Sequence, residues 1–240
     1  MNLNDTTLYV GTVGFSYDAW ANGIFYPHEL PRSKWLSYYS QFFNFVEISH
    51  SFSKVPDKDT FQQWYEQSPE TFRFSLRGNQ YITHVKKLKG VGEPLKLFLE
   101  PALKLKEKLS TIVWEVPPLG RDQTKTLEAF VKHLQKYPKI RHFFDFSDEM
   151  VLEQNSIQLL NENGCEIIVK LPPDNLIENR HYFHICLQDR NLGQEWESDM
   201  LRKLKADTAS KSAYILFDGP QSGNAFIRAR AFLEKIRQLS

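Results

Sequence analysis

Short apolar runs alternate along this chain with longer segments in which apolar residues recur every three or four positions. The short runs have the length and composition of buried strands, and eight of them can be delimited. They are Leu8–Thr12, Phe45–Ile48, Phe72–Leu76, Thr111–Val116, Arg141–Phe146, Glu166–Lys170, Tyr182–Leu187 and Ala213–Asp218. Since strands that alternate with helices form parallel sheets, the pattern predicts a single (β/α)8 TIM barrel over residues 1–240, with the helices outside.

The longer segments have the spacing of amphipathic helices, which begin near Trp35, Phe61, Leu95, Leu127 and Phe226. Pro101 predicts a break in the third of them, because proline has no backbone N–H to donate. An open doubly wound sheet is the alternative fold. It is disfavoured because the segment after the first strand, Gly11-Thr12-Val13-Gly14, lacks the third glycine of a phosphate-binding loop.

Charged residues stand at the carboxyl ends of several predicted strands, where barrel enzymes carry their chemistry. The residues are Glu47, Glu115, Asp145 and Asp218, and Arg77 ends the third strand. A carboxylate inside a barrel is costly unless it is paired or solvated, so this grouping predicts a site.

Two alternatives to a catalytic site stay open at these positions. A structural ion network would pair the carboxylates with Arg73, Arg77 or Lys170. A metal site would suit Mg²⁺ or Mn²⁺, which prefer oxygen ligands, but no ligand spacing in the sequence demands a metal or identifies a cofactor.

Composition places the chain among ordinary globular proteins. The net charge is +1 and 25% of the residues are charged, which excludes the strong positive field of a dedicated nucleic-acid binder. No apolar run approaches the roughly 20 residues needed to span a bilayer, and the N-terminus lacks the pattern of a signal peptide. Cys165 and Cys186 match no metal or redox spacing, so we expect a cytoplasmic location.

A local excess of lysine follows the third strand, beginning with Lys86, Lys87 and Lys89. A basic rim there would attract an anionic ligand such as a phosphate or a nucleic acid. The alternative is an ordinary solvated helix face.

Five blocks of residues resemble the YecE-like family, also called domain of unknown function 72. In chain order they are Gly11-Thr12-Val13-Gly14-Phe15-Ser16-Tyr17 with Trp20 and Phe25-Tyr26-Pro27; Val46-Glu47-Ile48-Ser49-His50-Ser51-Phe52; Phe72-Arg73-Phe74-Ser75 with Thr83-His84; Val116-Pro117-Pro118; and Asn224-Ala225. The resemblance covers nearly the whole chain and implies a TIM barrel. It implies no particular reaction.

The resemblance also separates retained polar positions from changed ones. Those that match the family pattern are Tyr17, Trp20, Glu47, Ser51, Thr83, His84 and Asn224. Those where the family usually carries another residue include Ser49, Arg77, Glu115 and Asp218. Because the changes fall at the polar strand ends, they favour a divergent member of the family.

The hypothesis that follows is a barrel that binds a small polar or phosphorylated ligand and acts on it by acid–base chemistry of the hydrolase or isomerase kind. The catalytic candidates are Glu47, His84, Glu115 and Asp145, with a glutamate as general base and His84 as acid. The ligand-binding candidates are Tyr17, Trp20, Ser49, Ser51, Arg77, Thr83, Asp218 and Asn224. One alternative is a binding barrel without catalysis. Another is a nucleic-acid-associated protein that uses the lysines and exposed aromatic rings such as Trp20 and Tyr26.

Overall fold

The structure is a computed structural model that describes residues 2–3, 6–146, 154–171, 181–186, 197–198, 200–202, 211–219 and 224–239. All eight predicted strand regions contain a strand. The strands are β1 (Asn2–Leu3), β2 (Thr6–Val13), β3 (Phe45–Ile48), β4 (Arg73–Arg77), β5 (Leu109–Val116), β6 (Arg141–Phe146), β7 (Glu166–Ile167), β8 (Val169–Leu171), β9 (Tyr182–Cys186) and β10 (Ser212–Asp218). The predicted end of the seventh strand, Leu187, lies outside the described residues.

The sixth predicted strand, Glu166–Lys170, is divided into two at Ile168. The first part, β7, pairs with β6, whereas the second part, β8, pairs with β9. Two short strands therefore replace one continuous strand. Apolar periodicity alone does not reveal this division.

The chain forms two compact units, which are described separately. Unit 1 comprises Met1–Glu47, Gln67–Arg73 and Ile168–Ser240, and unit 2 comprises Ile48–Glu66 and Phe74–Ile167. In unit 1 the parallel strands follow the order β3-β2-β10-β9-β8, and β1 pairs antiparallel with β2. In unit 2 the parallel order is β4-β5-β6-β7. The single domain over 1–240 stays a prediction.

Five of the described α-helices occur where the periodicity predicts them, whereas the helix Gln154–Glu162 was not predicted. The α-helices are α1 (Trp35–Tyr39), α2 (Lys58–Gln67), α3 (Gly92–Ala102), α4 (Gln123–Leu134), α5 (Gln154–Glu162) and α6 (Asn224–Leu239). Helix α3 ends one residue after Pro101, and a 3₁₀ segment (Leu103–Lys108) continues the chain to β5. The predicted break at this proline is therefore confirmed.

The glycine-rich segment at the end of β2, residues 11–14, is dictated by close packing. A Cβ atom at Gly11 would lie 1.8 Å from the backbone oxygen of Phe45 on the adjacent strand β3. Gly14 has a φ of +73°, and the Tyr17 side chain occupies the space that a Cβ there would need. Both glycines thus serve the backbone, which explains the motif without a bound phosphate.

Each unit has an aromatic core. In unit 1 the rings of Trp20, Phe25 and Phe226 lie 4.8–5.8 Å apart, so that α6 is fixed near the turn that follows β2. In unit 2 Trp114 of β5 packs edge-on against Phe130 of α4 at 4.9 Å. Burial of such large rings is the main source of stability in a chain of this kind.

No helix in the described ranges is long and apolar enough to cross a bilayer. The cytoplasmic location stays a prediction.

Candidate functional site

Three of the predicted polar residues meet in unit 2 at the carboxyl ends of adjacent strands. Arg77 Nη1 of β4 lies 2.9 Å from Glu115 Oε2 of β5 and 3.4 Å from Asp145 Oδ2 of β6. The side chains of Arg77 and Asp145 are 12% and 5% exposed, whereas that of Glu115 is 38% exposed. The largely buried guanidinium therefore neutralises Asp145 and holds Glu115 at the surface.

His84 completes this group, which we call the Arg77 cluster: Arg77, Thr83, His84, Glu115 and Asp145. His84 Nε2 lies 3.6 Å from Glu115 Oε1, and its side chain is also 38% exposed. On the other edge of the ring, Nδ1 lies 2.8 Å from the hydroxyl of the buried residue Thr83. The ring is thus oriented from both sides, with its Nε2 edge beside a solvent-accessible carboxylate.

A single wide helical turn carries Thr83 and His84. Tyr81–Val85 forms a π-helix, in which the Lys86 N–H donates to the Tyr81 carbonyl at 2.9 Å. The Asn79 side chain anchors its start, because Asn79 Oδ1 accepts from the Tyr81 N–H at 3.0 Å. Isolated π turns are uncommon and often occur at functional sites.

The turn after β3 supports the same cluster. Asn79 Nδ2 donates to the backbone oxygens of Ser51 and Phe52, and the Phe52 ring meets His84 edge-on at 5.2 Å. The Ser51 hydroxyl is buried and lies 2.6 Å from the backbone oxygens of Ile48 and Arg77. Ser51 thus ties the turn to the end of β4.

The turn also contains Ser49, which is partly exposed in the 3₁₀ segment Ser49–Phe52. The roles of Ser49 and Ser51 in ligand binding stay predictions.

Glu47 lies in unit 1 in a different environment. Its side chain is fully buried, and Tyr182 of β9 donates a hydrogen bond to Glu47 Oε2 at 2.8 Å. A buried carboxylate needs such donors to offset its lost hydration. The pairing of Glu47 with a phenol was not visible in the sequence, and its role as a general base stays a prediction.

A second histidine–carboxylate pair lies in unit 1, between the middle of β9 and the end of β10. His184 Nε2 lies 3.4 Å from Asp218 Oδ2, with side-chain exposures of 12% and 25%. The approach lacks hydrogen-bond geometry, since Nε2 of His184 has no hydrogen-bond partner among the described residues. We interpret it as a close contact without a hydrogen bond.

The remaining ligand-binding candidates lie near the turn after β2 and at the start of α6. Tyr17 donates to the Val13 backbone oxygen at 2.7 Å, and its ring lies 5.0 Å from that of Trp20. Asn224 is the first residue of α6 and is exposed. The expected exposure of Trp20 and Tyr26 is wrong: both are fully buried, because they pack in the aromatic core of unit 1.

The lysine-rich segment is only partly a solvated face. Lys87, Lys89 and Lys96 are exposed, but Lys108 is 3% exposed and donates to the Tyr65 backbone oxygen at 2.6 Å. Lys89 also lines a surface pocket of about 410 Å³ together with Lys125 of α4.

Sequence reasoning missed Asn79, Tyr182 and His184. Asn79 precedes a turn without a recognisable motif, and the two others lie inside a strand where tyrosine and histidine are ordinary packing residues. Within the described ranges, no group of three or more His, Cys, Asp or Glu side chains is arranged to hold a metal ion.

Comparison with solved structures agrees with the strand order in the two units. The chain is similar to a DUF72 family protein from Thermotoga maritima MSB8, with a TM-score of 0.77, 22% identity, and 96% of this chain and 99% of that chain covered. It is similar to a DUF72 family protein from Enterococcus faecalis V583, with a TM-score of 0.70, 15% identity and coverages of 98% and 99%.

A third similar structure is that of a D-allulose 3-epimerase from Methylomonas sp., with a TM-score of 0.57, 13% identity and coverages of 98% and 99%. Such likenesses show the fold alone, which is a (β/α)8 TIM barrel as the sequence predicts. A search of the curated proteins found no match. The family model described as protein of unknown function DUF72 matches residues 9–240, nearly the whole chain. This chain therefore belongs to the DUF72, or YecE-like, family.

Proposed function

We propose that this barrel binds a small polar ligand at the Arg77 cluster and that His84 and Glu115 form an acid–base pair acting on it. The observation that carries the proposal is the half-exposed contact of His84 Nε2 with Glu115 Oε1 at 3.6 Å, held from behind by Arg77 and Thr83. Catalytic groups in barrel enzymes lie at this end of the strands.

The chemistry would be proton transfer. Histidine is the side chain that most readily gains or loses a proton near neutral pH, and a carboxylate beside it accepts protons from hydroxyl or acidic C–H groups. Because Arg77 and Thr83 fix the two partners, little reorganisation would be needed when a ligand arrives. Hydrolase- or isomerase-type reactions both use such a pair.

The charges of the cluster favour a hydroxyl-bearing ligand over a phosphorylated one. Arg77 already lies within 3.4 Å of two carboxylates, so that an anion would compete with Glu115 and Asp145 for the guanidinium. Hydroxyl groups, by contrast, donate directly to the exposed carboxylate of Glu115. Binding of a phosphorylated ligand is therefore the second version of this proposal.

The test is calorimetric titration with xylitol, inorganic phosphate and a short oligonucleotide at two salt concentrations. We expect xylitol to bind, with a perturbation of the His84 ring signals in the NMR spectrum. Glu115→Gln should weaken this binding about tenfold or more, since hydrogen bonds to charged groups contribute about 1.5–3 kcal/mol.

The matched control is Glu128→Gln, which removes an exposed glutamate paired with Lys132 at 2.7 Å and should leave binding unchanged. Binding of phosphate alone, lost in Arg77→Ala at both salt concentrations, would support the phosphorylated ligand instead. Binding of the oligonucleotide alone, abolished by salt, would support a nucleic-acid partner. No binding of any probe, with His84 signals unchanged, would overturn the proposal.

A further inference from the structure

A second cavity lies in unit 2 among the amino ends of β6 and β7 and the carboxyl ends of α4 and α5. Its volume is about 260 Å³. The lining is mainly apolar and includes Leu134, Tyr137, Ile140, His142 and Cys165. This is close to the lower end of the volumes of small-molecule sites.

His142 is the group in this lining that needs explanation. It is 6% exposed, and Trp114 Nε1 lies 3.2 Å from His142 Nδ1. An indole N–H can only donate, so Nδ1 must be the unprotonated acceptor. Burial lowers the pKa of His142 to about 3, and the ring is therefore neutral at ordinary pH. The single remaining proton must lie on Nε2.

This Nε2–H group is an orphaned donor. It is buried, and no acceptor lies within hydrogen-bond distance in the described part of the chain. On an imidazole ring the bonds at Nδ1 and Nε2 diverge, so the N–H points away from Trp114. Buried donors without a partner are rare in folded proteins because each forfeits its hydration.

We propose that this cavity binds a small, largely apolar molecule that carries one hydrogen-bond acceptor, such as a ketone or aldehyde carbonyl, and that the acceptor is bound by His142 Nε2–H. The apolar walls would hold the body of the molecule, and the wall side chains that now cover Nε2 would move aside to admit the acceptor. The thiol of Cys165 is an ordinary wall element, because burial raises its pKa to about 12 and keeps it protonated. The site is independent of the Arg77 cluster.

The other polar side chains of the lining fit this assignment. Gln135 Nε2 donates to Asn163 Oδ1 at 2.6 Å, and the Arg141 guanidinium is paired with Glu166. These groups already have partners, so the orphaned N–H is left to select the ligand together with the hydroxyl of Tyr137. An anionic ligand is disfavoured because Glu166 neutralises the nearby Arg141.

The test uses two probes of similar shape that differ in the acceptor: acetophenone and ethylbenzene. NMR of protein labelled in its histidine and tryptophan rings follows the His142 Nε2–H and Trp114 Nε1–H signals during each titration. We expect acetophenone to shift the His142 Nε2–H signal and to bind about tenfold more tightly than ethylbenzene, as expected for one buried hydrogen bond.

Two variants locate the effect. His142→Gln retains both an acceptor for Trp114 and an N–H donor, so it should keep the preference for acetophenone; His142→Phe should remove it. Gln135→Trp, at an exposed rim position, should block both probes. The proposal would be overturned if the two probes bound with equal affinity or if neither bound. It would also be overturned if the His142 Nε2–H group were hydrogen-bonded to a fixed water and its signal did not shift with acetophenone. These readouts use the unaltered protein first and do not depend on His142→Phe being folded.

Discussion

Glu47 and Glu115 are each the penultimate residue of a parallel strand, yet they have opposite environments. Glu47 is fully buried and accepts a hydrogen bond from the Tyr182 phenol, whereas Glu115 is 38% exposed between a guanidinium and an imidazole. Two histidines differ in exposure in the same way, since His142 is buried and the side chain of His84 is 38% exposed. The same residue type is thus buried in one place and open to solvent in the other.

The side chain that pairs with each glutamate determines whether the glutamate is buried or exposed. Tyr182 is 135 residues from Glu47 along the chain, and Arg77 is 38 residues from Glu115. Both pairings come from strands and turns that the glutamates themselves do not specify. The comparison teaches that position at a strand end selects candidates, while the neighbouring side chains determine their use.

The largest expected effect is that of Glu47→Ala on the stability of the protein. The change leaves the Tyr182 hydroxyl without its acceptor and opens a small cavity, so the free energy of unfolding should fall by about 3 kcal/mol. Urea unfolding followed by circular dichroism measures this. A loss no larger than that of Glu115→Ala would show that the contrast in burial has no energetic consequence.

The buried His142 should link the stability of the protein to pH. His142 has a pKa of about 3 when folded, against an ordinary value of 6.5, because burial disfavours its charged form. Between these values the unfolded chain binds the extra proton, so stability is fully present above pH 6.5 and is lost as the pH falls toward 3. The slope reaches about 1.4 kcal/mol per pH unit.

We therefore expect the His142 contribution to fall by about 2 kcal/mol between about pH 7 and about pH 5. Urea unfolding at several pH values compares the original protein with His142→Gln, in which this part of the slope should disappear. A variant at the half-exposed position, His84→Gln, is the control. Equal slopes in the protein and in His142→Gln would contradict the assignment.

A smaller effect tests the buried pair directly. Tyr182→Phe removes the donor while retaining the ring, and a double-mutant cycle with Glu47→Ala isolates the interaction. We expect a coupling energy of about 1.5 kcal/mol, the lower end of the range of about 1.5–3 kcal/mol for a hydrogen bond to a charged group. If the decreases in the free energy of unfolding of the two single variants simply add in the double variant, the 2.8 Å hydrogen bond contributes no coupling energy.

The smallest effect belongs to Glu115→Ala. Since this carboxylate is half-exposed and its ion pairs are screened by water, its loss should lower the free energy of unfolding by about 1 kcal/mol or less. The same unfolding assay, repeated at high salt, should reduce the difference further. A loss of about 2 kcal/mol or more would assign Glu115 to the structural ion network instead of a ligand site.

Much of the fold could be predicted because it depends on local pattern. Short apolar runs between longer segments with helical spacing identified the strand regions, and Pro101 located the end of α3. The division at Ile168 could not be predicted, since it arises from β7 and β8 pairing with different strands. The burial of Trp20 and Tyr26 was also beyond the pattern, because it depends on Phe226 and Trp35 elsewhere in the chain.

The candidate site was predictable in composition but not in geometry. Strand-end positions brought Arg77, Glu115 and Asp145 together as expected, since adjacent parallel strands end at the same edge. The support provided by Asn79 was invisible, because a side-chain amide that bridges two turns leaves no periodic signal.

The π-helix that carries His84 has a consequence for relatives of this chain. Its wide turn is anchored by Asn79 at one end, and at the other end the N–H of the buried residue Leu88 donates to the Ile82 carbonyl at 3.0 Å. Between two fixed ends, one residue inserted or deleted before His84 would turn its side chain about the helical axis and away from Glu115. Alignments of family members should therefore tolerate many substitutions between these anchors but no change in length.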